Sequence, residues 1–143
     1  HEIIFPMFEF ESVGNFDDLL QMENDLCKFL GFKCDHERSS YENLNFPGGF
    51  YDGIRAKFTA DELDASHEEK LYQEYGDVFF LTKFPESTSP FWNMKMDGSS
   101  ASGDKLANKC DVIMGGMETI GSAERATDVQ EMKEQFYTIS NGE

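Results

Sequence analysis

The hydrophobic pattern changes period several times along the chain, and each change marks an element. From Met7 the opening segment IIFPMFEFE alternates, with Met7, Glu9 and Glu11 on one face and Phe8 and Phe10 on the other, which predicts a strand. Asn15 then caps a helix with Asp17 and Asp18 in its first turn and a stripe of Phe16, Leu19, Leu20, Leu26, Cys27 and Leu30, closed by Gly31. The stretch 35–54 is polar and broken by Pro47-Gly48-Gly49, so it predicts a loop holding at most a short strand. Thr59 and Glu62 form a capping box for a charged helix running to about Tyr75 and stopped by Gly76. Residues 77–82 have the continuous apolar character of a buried central strand. Pro85, Pro90 and the pair Phe91-Trp92 follow, then a flexible loop over residues 99–103.

The stretch CDVIMGGMETIGSAER, residues 110–125, predicts a β-hairpin, because Gly115-Gly116 supplies the positive φ that a two-residue mirror-image turn needs. That turn sets Met114 opposite Met117, Ile113 opposite Glu118 and Asp111 opposite Ile120, with Asp111, Ile113, Glu118 and Ile120 on one face. Asp111 and Glu118 become diagonal neighbours, roughly 7–8 Å apart at the backbone, so both carboxylates reach one bound cation. Two like charges so placed repel unless something positive lies between them, and Arg125 or a metal would serve. Strand parity puts Arg125 on the opposite face, so it joins the acids only if a bulge or strand end near Gly121-Ser122 turns it inward. A last helix starts near Thr127-Asp128, with Val129, Met132 and Phe136 at helical spacing. The order of elements suits an α+β domain, a mostly antiparallel sheet flanked by helices.

Composition narrows the possibilities. At 143 residues, with 39% hydrophobic and 14% aromatic residues, residues 1–143 fit one globular domain rather than a disordered segment. A formal net charge of −16 weighs against the chain gripping a phosphate backbone by itself. The three cysteines, Cys27, Cys34 and Cys110, include no CxxC pair, which predicts reduced buried thiols in a cytoplasmic protein and no zinc site. No apolar run approaches a membrane span and no signal peptide is visible. The start at His1 rather than methionine leads us to expect upstream sequence.

Each candidate also has a plain structural reading. Asp111 and Glu118 are equally explained, on spacing alone, as solvent-facing acids of an acidic protein. Arg125 alone reads as a surface ion-pair partner of Glu124 or Asp128, Phe91-Trp92 as core, and Glu9 and Glu11 as exposed strand acids. His36 and His67, in polar surroundings, are assigned no chemistry, and Cys27 is a small core residue.

The stretches YGDVFFLTKFPESTSPFW and CDVIMGGMETIGSAER together resemble the catalytic core of class II aminoacyl-tRNA synthetases of the aspartyl, asparaginyl and lysyl subgroup, which includes stand-alone relatives that make asparagine. In that pattern an Asp leads into a hairpin, a Glu follows seven residues later and an Arg seven after that; Asp111, Glu118 and Arg125 keep both spacings. FPMFEFE resembles the return strand of the second signature motif, with Glu9 and Glu11 at its acidic positions. The resemblance implies ATP-dependent activation of aspartate or asparagine to an aminoacyl-adenylate. It implies Mg²⁺ held by Asp111 and Glu118, and Arg125 clamping the substrate's side-chain carboxylate or amide oxygen. Trp92, where the family usually has tyrosine, would pack beside the substrate, and Glu9 would sit near its amino or amide group. The first signature motif, the second motif's arginine and the glycine-rich third motif are missing from the chain. We therefore expect part of a larger catalytic core, homodimeric when complete, which would meet tRNA through regions outside this chain. The lack of an anticodon-binding domain tilts the expectation toward a stand-alone aspartate–ammonia ligase, and a non-catalytic synthetase-like module that binds an amino acid or a protein partner is the rival reading.

Overall fold

The computed structural model describes residues 4–140. Its organising element is a long apolar strand, β2 (Val78–Pro85), buried along almost its whole length. Such a run has no polar face to offer water, so it must be covered on both sides. β1 (Gly48–Phe50) pairs with it in parallel and β4 (Lys105–Met114) pairs antiparallel. The other edge of β4 carries β3 (Met96–Ser99) beside residues 105–107 and β5 (Met117–Ala123) beside residues 109–114. Three of the four pairings are antiparallel, so the mostly antiparallel α+β architecture predicted above holds.

One face of the sheet is covered by α1 (Phe16–Phe29): Phe16, Leu20 and Cys27 pack with Leu44, Phe46, Val78, Phe80, Cys110 and Val112. α2 (Tyr51–Lys57) and α3 (Ala65–Tyr75) cover the other, where Tyr51, Ile54 and Leu71 meet Phe79, Leu81, Phe84 and Ile113. α4 (Val129–Ser140) follows the hairpin, with the Asp128 carboxylate accepting from the Glu131 amide.

Asn15 caps α1 as predicted, in a reciprocal box in which its Oδ1 accepts from the Asp18 amide at 3.0 Å and Asp18 Oδ2 accepts from the Asn15 amide at 2.9 Å. The buried stripe is displaced from the predicted one. Leu26 and Leu30 are exposed, while Glu23 and Asn24 are buried, because the covered arc runs 16, 20, 23, 24, 27. Asn24 is satisfied there by Asn45, donating to its Oδ1 at 3.0 Å and accepting from its amide at 2.7 Å.

Other expectations are corrected. The segment 4–13 is no strand: it forms no ladder and leaves Ile4, Phe5, Met7, Phe8, Phe10 and Val13 exposed, since alternation alone makes a strand only where a partner edge exists. Ile3 lies outside the described residues. The box of Thr59 and Glu62 does not form; Thr59, at φ 51°, is the left-handed exit from α2, its amide bonded to Ala56 O at 3.1 Å. The cap of α3 is Asp64, which accepts from Ser66 and His67 while its own amide donates to His67 Nδ1 at 3.0 Å. The polar run 35–54 contains β1 and the start of α2, where Gly48 is needed because a Cβ would lie 2.9 Å from Phe80 O. All three cysteines are free thiols, but only Cys27 and Cys110 are buried; Cys34, beyond the end of α1, is exposed.

Candidate functional site

The hairpin supplies the site's frame. Gly115 and Gly116 turn at φ 61° and 83°, and Met114–Met117 and Ile113–Glu118 are opposite each other as the turn predicts. Beyond them the register slips: Val112 faces Ile120, and Thr119 is the extra residue of a bulge. Ile120 therefore leaves the acid face and packs on the α1 side beside Val112, and Gly121 takes its expected place opposite Asp111. The same slip moves every later residue of β5 to the other face. Its register continues through Glu124, whose amide bonds Asn108 O at 2.9 Å, and Arg125, which bridges to Met94. Arg125 thereby shares the face of Asp111 and Glu118, through a bulge two residues earlier than the sequence reading placed it.

Gly121 is what lets the carboxylates converge. A Cβ on it would stand 2.8 Å from Glu118 Oε1 and 3.9 Å from Asp111 Oδ1, so both oxygens border the space its missing side chain leaves. Asp111 is 6% exposed, and its Oδ1 has no hydrogen-bond partner in the protein. Its Oδ2 lies 3.6 Å from Lys109 Nζ. Burial pushes the Asp111 carboxyl up to about 6; Lys109 draws it back, and the charges of Glu118 and Glu68 raise it. Glu68, on α3, is itself raised, by burial and by Glu118 facing it. Three carboxylates thus crowd one end of this face against a single ammonium.

The other predicted site residues gather further along. Arg125 is exposed, and its guanidinium donates to Glu11 Oε1 at 2.9 Å rather than pairing with Glu124 or Asp128. The Glu124 carboxylate goes to Lys95, Asn108 and the Phe16 amide. Glu9 is exposed in the same segment, two residues before Glu11. Trp92 is 41% exposed, edge-on to Phe136 at 6.1 Å, next to Asn93, whose carbonyl accepts from the Ala126 amide at 2.8 Å. Register thus gives Asp111, Glu118 and Arg125 one face, with Asp111 beside Glu118 and Arg125 bonded to Glu11, while Trp92 comes near Arg125 through the Asn93–Ala126 bond of the neighbouring residues. Lys109, opposite Ala123, stands between them in register.

Lys109, Glu68 and Thr119 were missed by sequence reasoning, and Gly121 was named only as the place of a bulge. Period-two counting back from Asp111 finds Lys109, whereas Glu68 reaches the hairpin only through the packing of α3. A cleft of about 680 Å³ lies elsewhere, lined by Lys33, Cys34, Arg38, Tyr72, Tyr75 and Asp77.

The carboxylate pair suits a divalent cation of the Mg²⁺ type. One buried oxygen lacks a partner, a second lies across the same glycine gap, and both are hard donors. Among the described residues no three His, Cys, Asp or Glu side chains cluster as a complete metal cage.

Comparison with known proteins assigns the frame. The family described as tRNA synthetases class II (D, K and N) matches residues 3–143. An aspartate–tRNA(Asp) ligase of Pyrobaculum aerophilum is 28% identical over 76 residues, 53% of this chain and 16% of that protein. Among solved structures, the aspartyl-tRNA synthetase of Entamoeba histolytica superposes with a TM-score of 0.63 at 21% identity, covering 92% of this chain and 31% of that one. The asparaginyl-tRNA synthetase of Pyrococcus horikoshii complexed with asparaginyl-adenylate gives 0.64 at 19% identity, over 87% and 33%. The chain thus spans a third or less of these relatives. No helix among the described residues is long and apolar enough to cross a membrane. With the family's model matching residues 3–143 and an α+β sheet of the same fold, the chain belongs to the class II tRNA synthetases of the aspartate, lysine and asparagine group.

Proposed function

We propose that the protein carrying this chain activates aspartate or asparagine with ATP. The α-carboxylate oxygen attacks the α-phosphorus, the bond to the bridging oxygen breaks, and pyrophosphate leaves an aminoacyl-adenylate. The observation that carries this reading is the convergence of Asp111 Oδ1 and Glu118 Oε1 over Gly121, on the face the Thr119 bulge gives to Arg125. Mg²⁺ held by Asp111 and Glu118 would offset the phosphate charge.

The remaining roles belong to the chain's own residues. Arg125 exchanges Glu11 for the substrate's side-chain oxygen, which its planar fork binds with two hydrogen bonds. Glu9 faces the amino or amide group, and the exposed ring of Trp92 walls the substrate against water. The acceptor, tRNA or ammonia, and the second subunit of a homodimer lie outside these residues. The cysteine usage supports a cytoplasmic setting for the activity.

Pyrophosphate exchange into ATP tests the reading on the protein that carries this chain. Exchange dependent on aspartate or asparagine is expected, without tRNA or ammonia. Binding of either amino acid with no exchange would point instead to a non-catalytic module, and exchange with neither would remove the substrate assignment.

A further inference from the structure

Lys109 lies on β4 two residues before Asp111 and on the same face, with its stem against Phe84 and its ammonium 4.1 Å from that ring's centroid. Nζ approaches Asp111 Oδ2 at 3.6 Å, and the Lys109 side chain keeps only 25% of its exposure. The opposite oxygen, Oδ1, is the one that faces the gap at Gly121 and Glu118 Oε1. Asp111 is therefore neutralised from one side and without a hydrogen-bond partner on the other. The charges around it come from three elements: Lys109 on its own strand, Glu118 on β5 and Glu68 on α3. A second cation on Oδ1 and Oε1 would stand within a few ångströms of the ammonium, in a partly buried setting where screening is weak. Both cannot be held at full strength.

We propose that Lys109 is a built-in competitor for the divalent cation: it neutralises Asp111 in the cation-free protein, and the cation binds at the expense of that ion pair. Residue 109 then sets how much free Mg²⁺ the site needs. The inference rests on the reading of Asp111 and Glu118 as a cation site and adds a residue whose charge has the wrong sign for a ligand. The pair with Asp111 is made by one oxygen at a distance longer than a tight charge-assisted bond, so it is weak enough to yield to a divalent ion. Phe84 gives the displaced ammonium an aromatic surface to slide along.

The test is Mn²⁺ binding to the protein that carries this chain, read from the electron paramagnetic resonance of free Mn²⁺ at pH 8 without ATP or amino acid. Wild type is compared with Lys109→Met, Lys109→Arg and Asp111→Asn. Methionine keeps the apolar stem against Phe84 and removes only the charge, and thermal unfolding checks that the fold is kept. Lys109→Met should bind Mn²⁺ about tenfold more tightly than wild type. Lys109→Arg should resemble wild type, and Asp111→Asn should lose the site. Binding that requires Asp111 yet is unchanged or weaker in Lys109→Met overturns the competition. Binding indifferent to Asp111, or none in any variant, overturns the cation pair itself and the competition with it.

Discussion

Replacing Arg125 by alanine will raise the KM for aspartate or asparagine by about a hundredfold and leave the KM for ATP nearly unchanged. The size follows from losing two charge-assisted hydrogen bonds, each contributing about 1.5–3 kcal/mol before the cost of releasing Glu11 and the solvent screening of this exposed side chain are subtracted. The asymmetry follows from position: on β5 and the residues after it, Arg125 lies beyond Gly121 and Ala123, away from the carboxylates that would serve the phosphates. The conservative change Arg125→Lys should not restore binding, because a single ammonium cannot reproduce a planar two-point contact. Steady-state exchange kinetics measure both constants, and equal losses for the two substrates would argue against a clamp.

Replacing Glu23 by glutamine will stabilise the fold at pH 8 by up to about 3 kcal/mol and give no such advantage at pH 4. Glu23 is 4% exposed beneath α1, with the Cys110 thiol and Ser122 hydroxyl near it and Oε2 without a hydrogen bond. Burial pushes its carboxyl from 4.5 up to about 7, the polar contacts offset part of that, and Asp111 adds to it. The folded state therefore holds a proton that the unfolded chain has lost across this window. The stabilising contribution is complete below about pH 4.5 and disappears as pH rises through about 7, where an unpaired buried charge must form. Glutamine fills the same space without that charge. Urea midpoints of the two proteins at pH 4 and pH 8 measure it; identical pH dependence in both would contradict the assignment. Asp111, raised to about 6 from the other side of the sheet, leaves a smaller slope of the same sign in the variant.

The elements readable in the sequence were those specified locally. Asn15 with Asp18, Gly31 and Gly115-Gly116 act within a few residues, so the first helix and the hairpin turn stand where the pattern puts them. β2 was legible because burial on both faces leaves an unbroken apolar run. Elements fixed by tertiary packing were not. α2 hides behind Pro47-Gly48-Gly49, and its exit at Thr59 mimics a capping residue. β3, with sequence MDGS, has no apolar signal and exists because the edge of β4 receives it. Glu23 and Asn24 break the apolar stripe of α1 and are buried because Asn45, Cys110 and Ser122 meet them from outside the helix.

The site shows the same division. Spacing proposed that Asp111 and Glu118 are neighbours, and both carboxylates border the gap at Gly121. Parity alone separated Arg125 from them, and the need for a bulge was legible while its place was not. Thr119 carries no signature of a bulge, because the slip is driven by Ile120 seeking the α1-side core next to Val112. Shifting that single residue gives Arg125 the face of the acids and leaves Lys109 between them.

Anomalous diffraction from crystals of the protein carrying this chain, grown with Mn²⁺ and ATP, tests the central claim most directly. The account predicts a manganese peak between Asp111 Oδ1 and Glu118 Oε1 over Gly121. Manganese bound to the nucleotide elsewhere, with both carboxylates left without it, would contradict it.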